Sequence, residues 1–183
     1  MKKQNTLLYI LRLAFTLLLI TAIMAGSLAL VNKITAPRIA QFRAEKIQKA
    51  VSEVLPGGGD EVYCIVDPSG LVSHVYASDL GYAIQVEPIG FDNTITMMVG
   101  VDREGNVLGI SVVSHTETAG LGAVAAAGNA AGEAFRSQFV GMSGAVAVTK
   151  DGGEVDSITG ATITSRAICA GVNAALACAK ELG

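Results

Sequence analysis

The 183-residue chain has no tryptophan, two histidines and three cysteines, and only 5% of it is aromatic. So few aromatic side chains exclude the stacking platforms on which single-stranded nucleic acids lie. Basic residues do not exceed acidic ones, at 13 against 16, so the footprint of a phosphate-backbone binder is missing and no nucleic-acid partner is expected. Cys64, Cys169 and Cys178 are odd in number and widely spaced, which excludes a disulfide framework. On a helix Cys169 and Cys178 point about 180° apart, and Cys64 reads as a small apolar strand residue. No paired-thiol spacing marks an iron–sulfur or zinc site. His115 and Glu117 form a His-x-Glu triplet, but the other histidine, His74, is far away in sequence. No metal site is expected within the chain, and His115 is expected to order its loop. A metal shared with a partner subunit stays open. Neither a Walker loop nor a Ser-His-Asp order is present, and no catalytic residue is expected. Charged residues reach 16% against 51% hydrophobic, which excludes a disordered chain.

What the chain has in excess is apolar length near its start. Leu13 to Val31 reads LAFTLLLITAIMAGSLALV without a charge. As a helix it rises about 28 Å, close to the hydrocarbon thickness of a bilayer. A cleaved signal peptide, with Ala25-Gly26-Ser27 as its small-residue site, is the alternative. The run continues past Ser27 to Val31, further than a signal peptide needs, so a retained single-pass anchor is expected. Its orientation is not fixed by charge. Lys2, Lys3 and Arg12 precede the span; Lys33, Arg38, Arg43, Lys46 and Lys49 follow it. That bias favours a cytoplasmic domain, yet long domains translocate regardless of such charges.

Three segments follow from the pattern: an anchor over 1–33, a linking helix over 34–56 and a compact domain over 57–183. In the linking helix, Ile39, Phe42, Ile47, Ala50, Val51 and Val54 recur at helical spacing. Pro37 suits its first turn, and Pro56-Gly57-Gly58-Gly59 ends it. Strands are predicted at Glu61–Val66, Leu71–Tyr76, Gly81–Ile89, Thr94–Asp102 and Val107–Ser114, with turns at Asp67-Pro68-Ser69-Gly70 and Arg103-Glu104-Gly105-Asn106. Ile95, Met97, Val99 and Val101 alternate, as do Leu108, Ile110 and Val112, which suits an antiparallel sheet buried on one face. Ala123–Ala134 reads as a loose helix start running on through Phe135 and Phe139, Gly144–Thr149 as a short strand, and Thr164–Leu182 as a helix. The fold class is α+β.

The stretch Asp156-Ser157-Ile158-Thr159-Gly160-Ala161-Thr162-Ile163-Thr164-Ser165 carries the chemistry. It enters the last helix with five hydroxyls and a glycine. A helix start offers unpaired N–H groups and a positive partial charge, both favourable to a phosphate. Gly160 and Ala161 leave the backbone open to close approach. Spacing alone also allows plain N-capping by a hydroxyl.

Asp156-x-x-Thr159-Gly160-Ala161-Thr162 resembles the flavinylation motif of the FMN-binding domain family. Ser114-His115-Thr116-Glu117-Thr118-Ala119-Gly120-Leu121-Gly122 is similar to the loop after a central strand in the Rnf G and Nqr C subunits of that family. Ala119 stands where the family usually has proline, and Phe135 near where it often has tryptophan. Ile158 to Ser165 resembles the Rnf G branch more closely. The resemblance implies FMN joined through its phosphate to Thr162 by a flavin transferase. It implies cofactor contacts from Thr118, Leu121, Lys150, Ile158, Thr159, Gly160, Ala161, Ile163 and Thr164. Leu121 and Ile158 would wall the ring, Thr118 would donate a hydrogen bond, and Lys150 would balance charge. It further implies an electron-relaying subunit, inactive alone, in an ion-translocating complex between ferredoxin and NAD, with its domain on the extracytoplasmic side. Service in another membrane electron chain, Nqr-like or extracellular, and a non-redox membrane-tethered binding module are the alternatives.

Overall fold

The computed structural model describes residues 2–62 and 69–183, with side chains from Leu7 onward. The expected placement of Cys64 in a strand, and the Asp67-Pro68 half of the first turn, lie outside the described residues. The chain divides into two compact units, Met1–Glu45 and Lys46–Gly183.

The first unit belongs to one helix, α1, which runs from Lys2 to Val54. The sequence pattern starts a separate helix at Pro37; α1 instead passes through that residue without ending. Proline removes its own N–H bond to the carbonyl four residues back, and its ring crowds that carbonyl. Here that loss is outweighed by helix formers on both sides, from Ala36 through Arg38, Ala40, Gln41 and Arg43 to Lys49. The apolar window of α1 is long enough to cross a membrane, and none of it is buried within the protein. Four hydroxyls along it bond within the helix. Thr16, Thr21, Ser27 and Thr35 each donate to the carbonyl four residues back, at 2.7–3.0 Å. Hydrocarbon offers no other partner, so this self-satisfaction is what a spanning helix requires.

The second unit is built on a five-stranded sheet in simple sequence order. The strands are β1 (Asp60–Val62), β2 (Val72–Ser78), β3 (Gly81–Val86), β4 (Thr96–Asp102) and β5 (Val107–Ser114). Every neighbouring pair is antiparallel. β3 stops at Val86, short of the expected Ile89, because Pro88 has no amide to continue the ladder. The β4–β5 turn is closed by Asp102, whose carboxylate accepts from the Glu104 and Asn106 amides at 2.9 and 2.8 Å. Those bonds, led by the one from Asn106, hold the Asp102 carboxyl below its ordinary range.

The alternation does sort the sheet residues by face, but both faces are covered. Tyr82, Ile84 and Val86 of β3 and Met97, Val99 and Val101 of β4 share a core with Ile168, Val172 and Ala175. These last three lie on α3, which runs from Thr162 to Leu182. On the other face Tyr76, Ala83 and Met98 pack against Ala50, Val51, Val54 and Leu55 at the end of α1. Small residues admit that helix end: a Cβ on Gly100 would strike the Val54 carbonyl oxygen. α3 is apolar enough to pass as a membrane span, yet most of it is buried in the protein, as a core helix is.

Between β5 and α3 the chain is less regular than expected. Ala123–Ala134 is split into a 3₁₀ turn at Gly122–Ala126 and a helix α2 at Ala130–Ser137. Gly128 interrupts them, and the Asn129 side chain caps α2 by accepting from Gly132 N at 3.0 Å. Gly144–Thr149 forms no strand; Val148 makes a single parallel bridge to Val155 before a 3₁₀ turn at Thr149–Asp151. Phe135 and Phe139 meet edge to face at 5.4 Å and close the core here.

Gly100→Val is expected to destabilise the second unit by about 1–3 kcal/mol, the range for overpacking a tight contact. The thermal midpoint of the detergent-solubilised protein checks it, and an unchanged midpoint would show that α1 does not press on β4.

Candidate functional site

α3 begins at Thr162, two residues earlier than its apolar pattern suggests. The chain enters it through a turn in which Ala161 N donates to Ile158 O at 2.9 Å. Gly160 stands in that turn with φ +76°, where a side chain is strained. A Cβ there would also come within 2.9 Å of Leu121 Cδ2, so the turn and Leu121 are in close contact. The cap position is Ala161, and no side chain bonds the first-turn amides. The hydroxyls of the motif are therefore not spent on capping. The helix start keeps its donors and its partial positive charge for something else.

Thr162 is partly exposed, and its Oγ1 accepts a hydrogen bond from Lys150 Nζ at 3.0 Å. Lys150 comes from the Thr149–Asp151 turn, which is locked to the same helix face. Arg166, one turn beyond Thr162, donates from Nε and Nη2 to the two Asp151 oxygens, both at 2.6 Å. The guanidinium holds the Asp151 carboxyl below its ordinary range, and the carboxylate raises the pKa of Arg166 in turn. A depressed carboxyl favours the folded state above its unfolded pKa. This tie is thus intact at neutral pH and is lost only as acid protonates Asp151.

Ser165 makes the turn rigid. Its buried hydroxyl accepts from Ile158 N and donates to Ala161 O, both at 3.0 Å. Upstream, the Gln138 side chain accepts from Asp156 N at 2.7 Å and reaches Asp156 O at 3.4 Å, leaving the Asp156 carboxylate exposed.

The loop after β5 forms the other side. Glu117 is 7% exposed, and its carboxylate collects three donors. Oε1 accepts from Phe91 N at 2.8 Å and Asp92 N at 3.3 Å, and Oε2 accepts from Thr164 Oγ1 at 2.5 Å. His115, expected to order this loop, has a buried Nδ1 without a partner; Glu117 does the ordering. Thr118 is exposed, and its carbonyl accepts from Leu121 N at 3.1 Å and Ala123 N at 3.2 Å.

The residues predicted from sequence are thus partly gathered. Thr162 meets Lys150, and Gly160 meets Leu121. Thr159 and Ile163 are exposed, Ala161 is buried, and Ile158 packs against the main core. Thr164 is turned away: two positions along a helix is about 200° of rotation, so it cannot face what Thr162 faces. Its hydroxyl is committed to Glu117. The roles of Glu117, Gln138 and the Asp151–Arg166 pair escape sequence reasoning, because they depend on segments distant in sequence; that of Ser165 rests on Ile158 and Ala161, seven and four positions back, and follows from the geometry of the turn. Among the described residues no group of three or more His, Cys, Asp or Glu is placed to hold a metal ion. Burial, with help from the Asp151 charge, pushes the Cys169 thiol up to about 11, so it is not a thiolate at neutral pH. An uncapped helix start with the Thr162 hydroxyl and the Lys150 ammonium beside it fits a phosphate-bearing group.

Comparison with known proteins bears on what that group is. Residues 1–54 match the RnfG N-terminal region and residues 90–177 the FMN-binding domain. The chain is 31% identical to the G subunit of the ion-translocating oxidoreductase complex of Methanosarcina acetivorans, over 88% of this chain and 89% of that protein. It is 30% identical to the G subunit of the Na⁺-translocating ferredoxin:NAD⁺ oxidoreductase complex of Acetobacterium woodii, over 88% and 87%. It is 34% identical to the G subunit of the proton-translocating ferredoxin:NAD⁺ oxidoreductase complex of Clostridium ljungdahlii, over 87% and 86%.

Ser165→Ala is expected to cost about 1–3 kcal/mol, since it leaves the Ile158 amide without a partner in a tight turn. Thermal unfolding measures this, with circular dichroism to show that the helices persist. No loss of stability would mean that the turn does not depend on the Ser165 hydroxyl.

Proposed function

The chain belongs to the family of G subunits of ion-translocating oxidoreductase complexes, and from that membership we propose that it relays electrons through FMN esterified to Thr162. The carrying observation is the Thr162 hydroxyl, placed on an uncapped helix start with the Lys150 ammonium 3.0 Å away. When bound, FMN supplies the electron transfer, and the protein's part is to hold it, tune it and exclude competitors.

Each element of the site has a task in that reading. Thr162 Oγ1 is the tether. The helix start and Lys150 offset the phosphate charge. Gly160 lets the cofactor approach the backbone. Leu121 is 41% exposed and Ile163 51%, and both offer apolar surface to the ring, with Thr118 as a hydrogen-bond donor beside them. Ile158, Thr159 and Ala161 form the turn that sets the tether's direction. Thr164 acts at one remove, through Glu117. Asp156, exposed and held by its backbone, is presented for recognition by a flavin transferase.

α1 anchors the protein in the bilayer, and the other members of the complex give and take the electrons. The chain is inactive alone. Its domain lies on the extracytoplasmic side, where a dissociated cofactor is lost to the medium and a covalent one is kept. The basic residues after the span bias it the other way, but a domain of this length translocates despite them.

Two experiments test the reading. Co-expressed with a flavin transferase, the wild-type chain is expected to show a fluorescent flavin band in a denaturing gel, and Thr162→Ala to lose it entirely while keeping its thermal midpoint. A persistent band in Thr162→Ala would sink the attachment site. For sidedness, protease added to intact spheroplasts is expected to degrade the domain while a cytoplasmic control survives. Protection until lysis would place the domain inside.

A further inference from the structure

Three segments meet at one buried carboxylate. Glu117 Oε1 holds the loop between β3 and β4 through the amides of Phe91 and Asp92, and Oε2 holds α3 through Thr164. Two glycines make room for it. A Cβ on Gly90 would land on Oε1, and one on Gly122 would land on Oε2. Its donors are two backbone amides and a hydroxyl, none of them a cation, so the carboxylate serves geometry rather than an ion pair.

The 88–93 loop is rigid on its own account. Gly90 N donates to Asn93 O and Ile95 N to Pro88 O, both at 2.8 Å, and Ile89 bridges Thr94. With its amides turned in to Glu117, the loop turns its large side chains out: Ile89 is 76% exposed and Phe91 67%. An aromatic ring held in water on a stiff loop gains nothing for the apo protein. Leu121 and Ile163, from the other two segments that Glu117 joins, are also exposed. Each of the three segments that Glu117 joins thus carries an exposed apolar side chain, and Ile163 lies between Thr162 and Thr164 in the first turn of α3. A planar, apolar ring tethered at Thr162 is the occupant that this arrangement fits.

We infer that the 88–93 loop, drawn onto the start of α3 by Glu117, is a wall of the flavin site, with Phe91 against the ring. Glu117 is a positioning residue, acting through Phe91 and Thr164. The inference rests on Thr162 as the tether, and its test is separable from the test of that tether.

The chain contains no tryptophan, so a single introduced indole is a clean probe. Indole quenches flavin emission by electron transfer only at near contact. In full-length, flavinylated protein, Phe91→Trp is expected to lower flavin emission at least fivefold relative to Phe91→Leu. Leu80→Trp, at the opposite end of β3 and roughly 20 Å along it, is expected to leave emission unchanged. Both positions are exposed, so neither change opens the core. Glu117→Ala in the Phe91→Trp background is expected to restore emission, and Glu117→Gln, which keeps an acceptor for the amides, to restore it less. Equal emission from Phe91→Trp and Phe91→Leu overturns the wall. The brace is read without flavin, by amide exchange in the Thr162→Ala protein. There Glu117→Ala is expected to speed exchange at Phe91 and Asp92 at least tenfold, and unchanged exchange overturns it. Covalent flavin persisting in Thr162→Ala would instead overturn the tether, a different result on a different variant.

Discussion

The first turn of α3 is left open by its own sequence. Its cap is Ala161, which has nothing to offer the helix amides, and that lack of a capping group is the condition for binding an anion there. An uncapped helix start ordinarily frays. Here the work of closing it is moved to its surroundings. Ser165 ties the turn from within, the Asp151–Arg166 pair ties it from one side, and Glu117 grips Thr164 from the other. All three leave Thr162 alone, so its hydroxyl has Lys150 for company and no competing duty.

This distribution explains why the helix is buried along its length. α3 lies in the main core through Ile168, Val172, Ala175 and Ala179 while its first turn stays accessible. A helix fixed by its buried face holds its N-terminus still without a capping side chain. The sheet gives that face its support, and the end of α1 covers the sheet's back at Gly100. On the proposed reading the cofactor stands on a rigid element, with glycines at close approaches, which would keep the geometry constant through repeated electron transfer.

Much of this is legible in the sequence. β5 is where Val107–Ser114 predicts it, because Asp102 and Asn106 announce the turn before it. The antiparallel order follows from short turns between alternating runs. The covered second face is not legible, since alternation marks one buried face and says nothing of small residues such as Ala83 and Gly100 on the other. Pro37 misleads because a strong local breaker sits among strong helix formers. Gly144–Thr149 has strand composition but only a single bridge, at Val148, to hold it. At the site, the motif marks Thr162 and the helix start. That Thr164 points away is available from helical rotation alone. The partners of Glu117 are not, because Phe91 and Thr164 lie 26 and 47 positions from it.

The central claim is that a phosphate-linked flavin sits on Thr162 and on no other hydroxyl of the motif. Cleavage after Lys150 and Arg166 isolates Asp151–Arg166, which also holds Ser157, Thr159, Thr164 and Ser165. Tandem mass spectrometry of this peptide, from protein matured with a flavin transferase, tests the claim most directly. The account predicts the mass of one FMN less one water, with fragment ions placing it on Thr162. An unmodified peptide, or the same mass on Thr159 or Thr164, would contradict it.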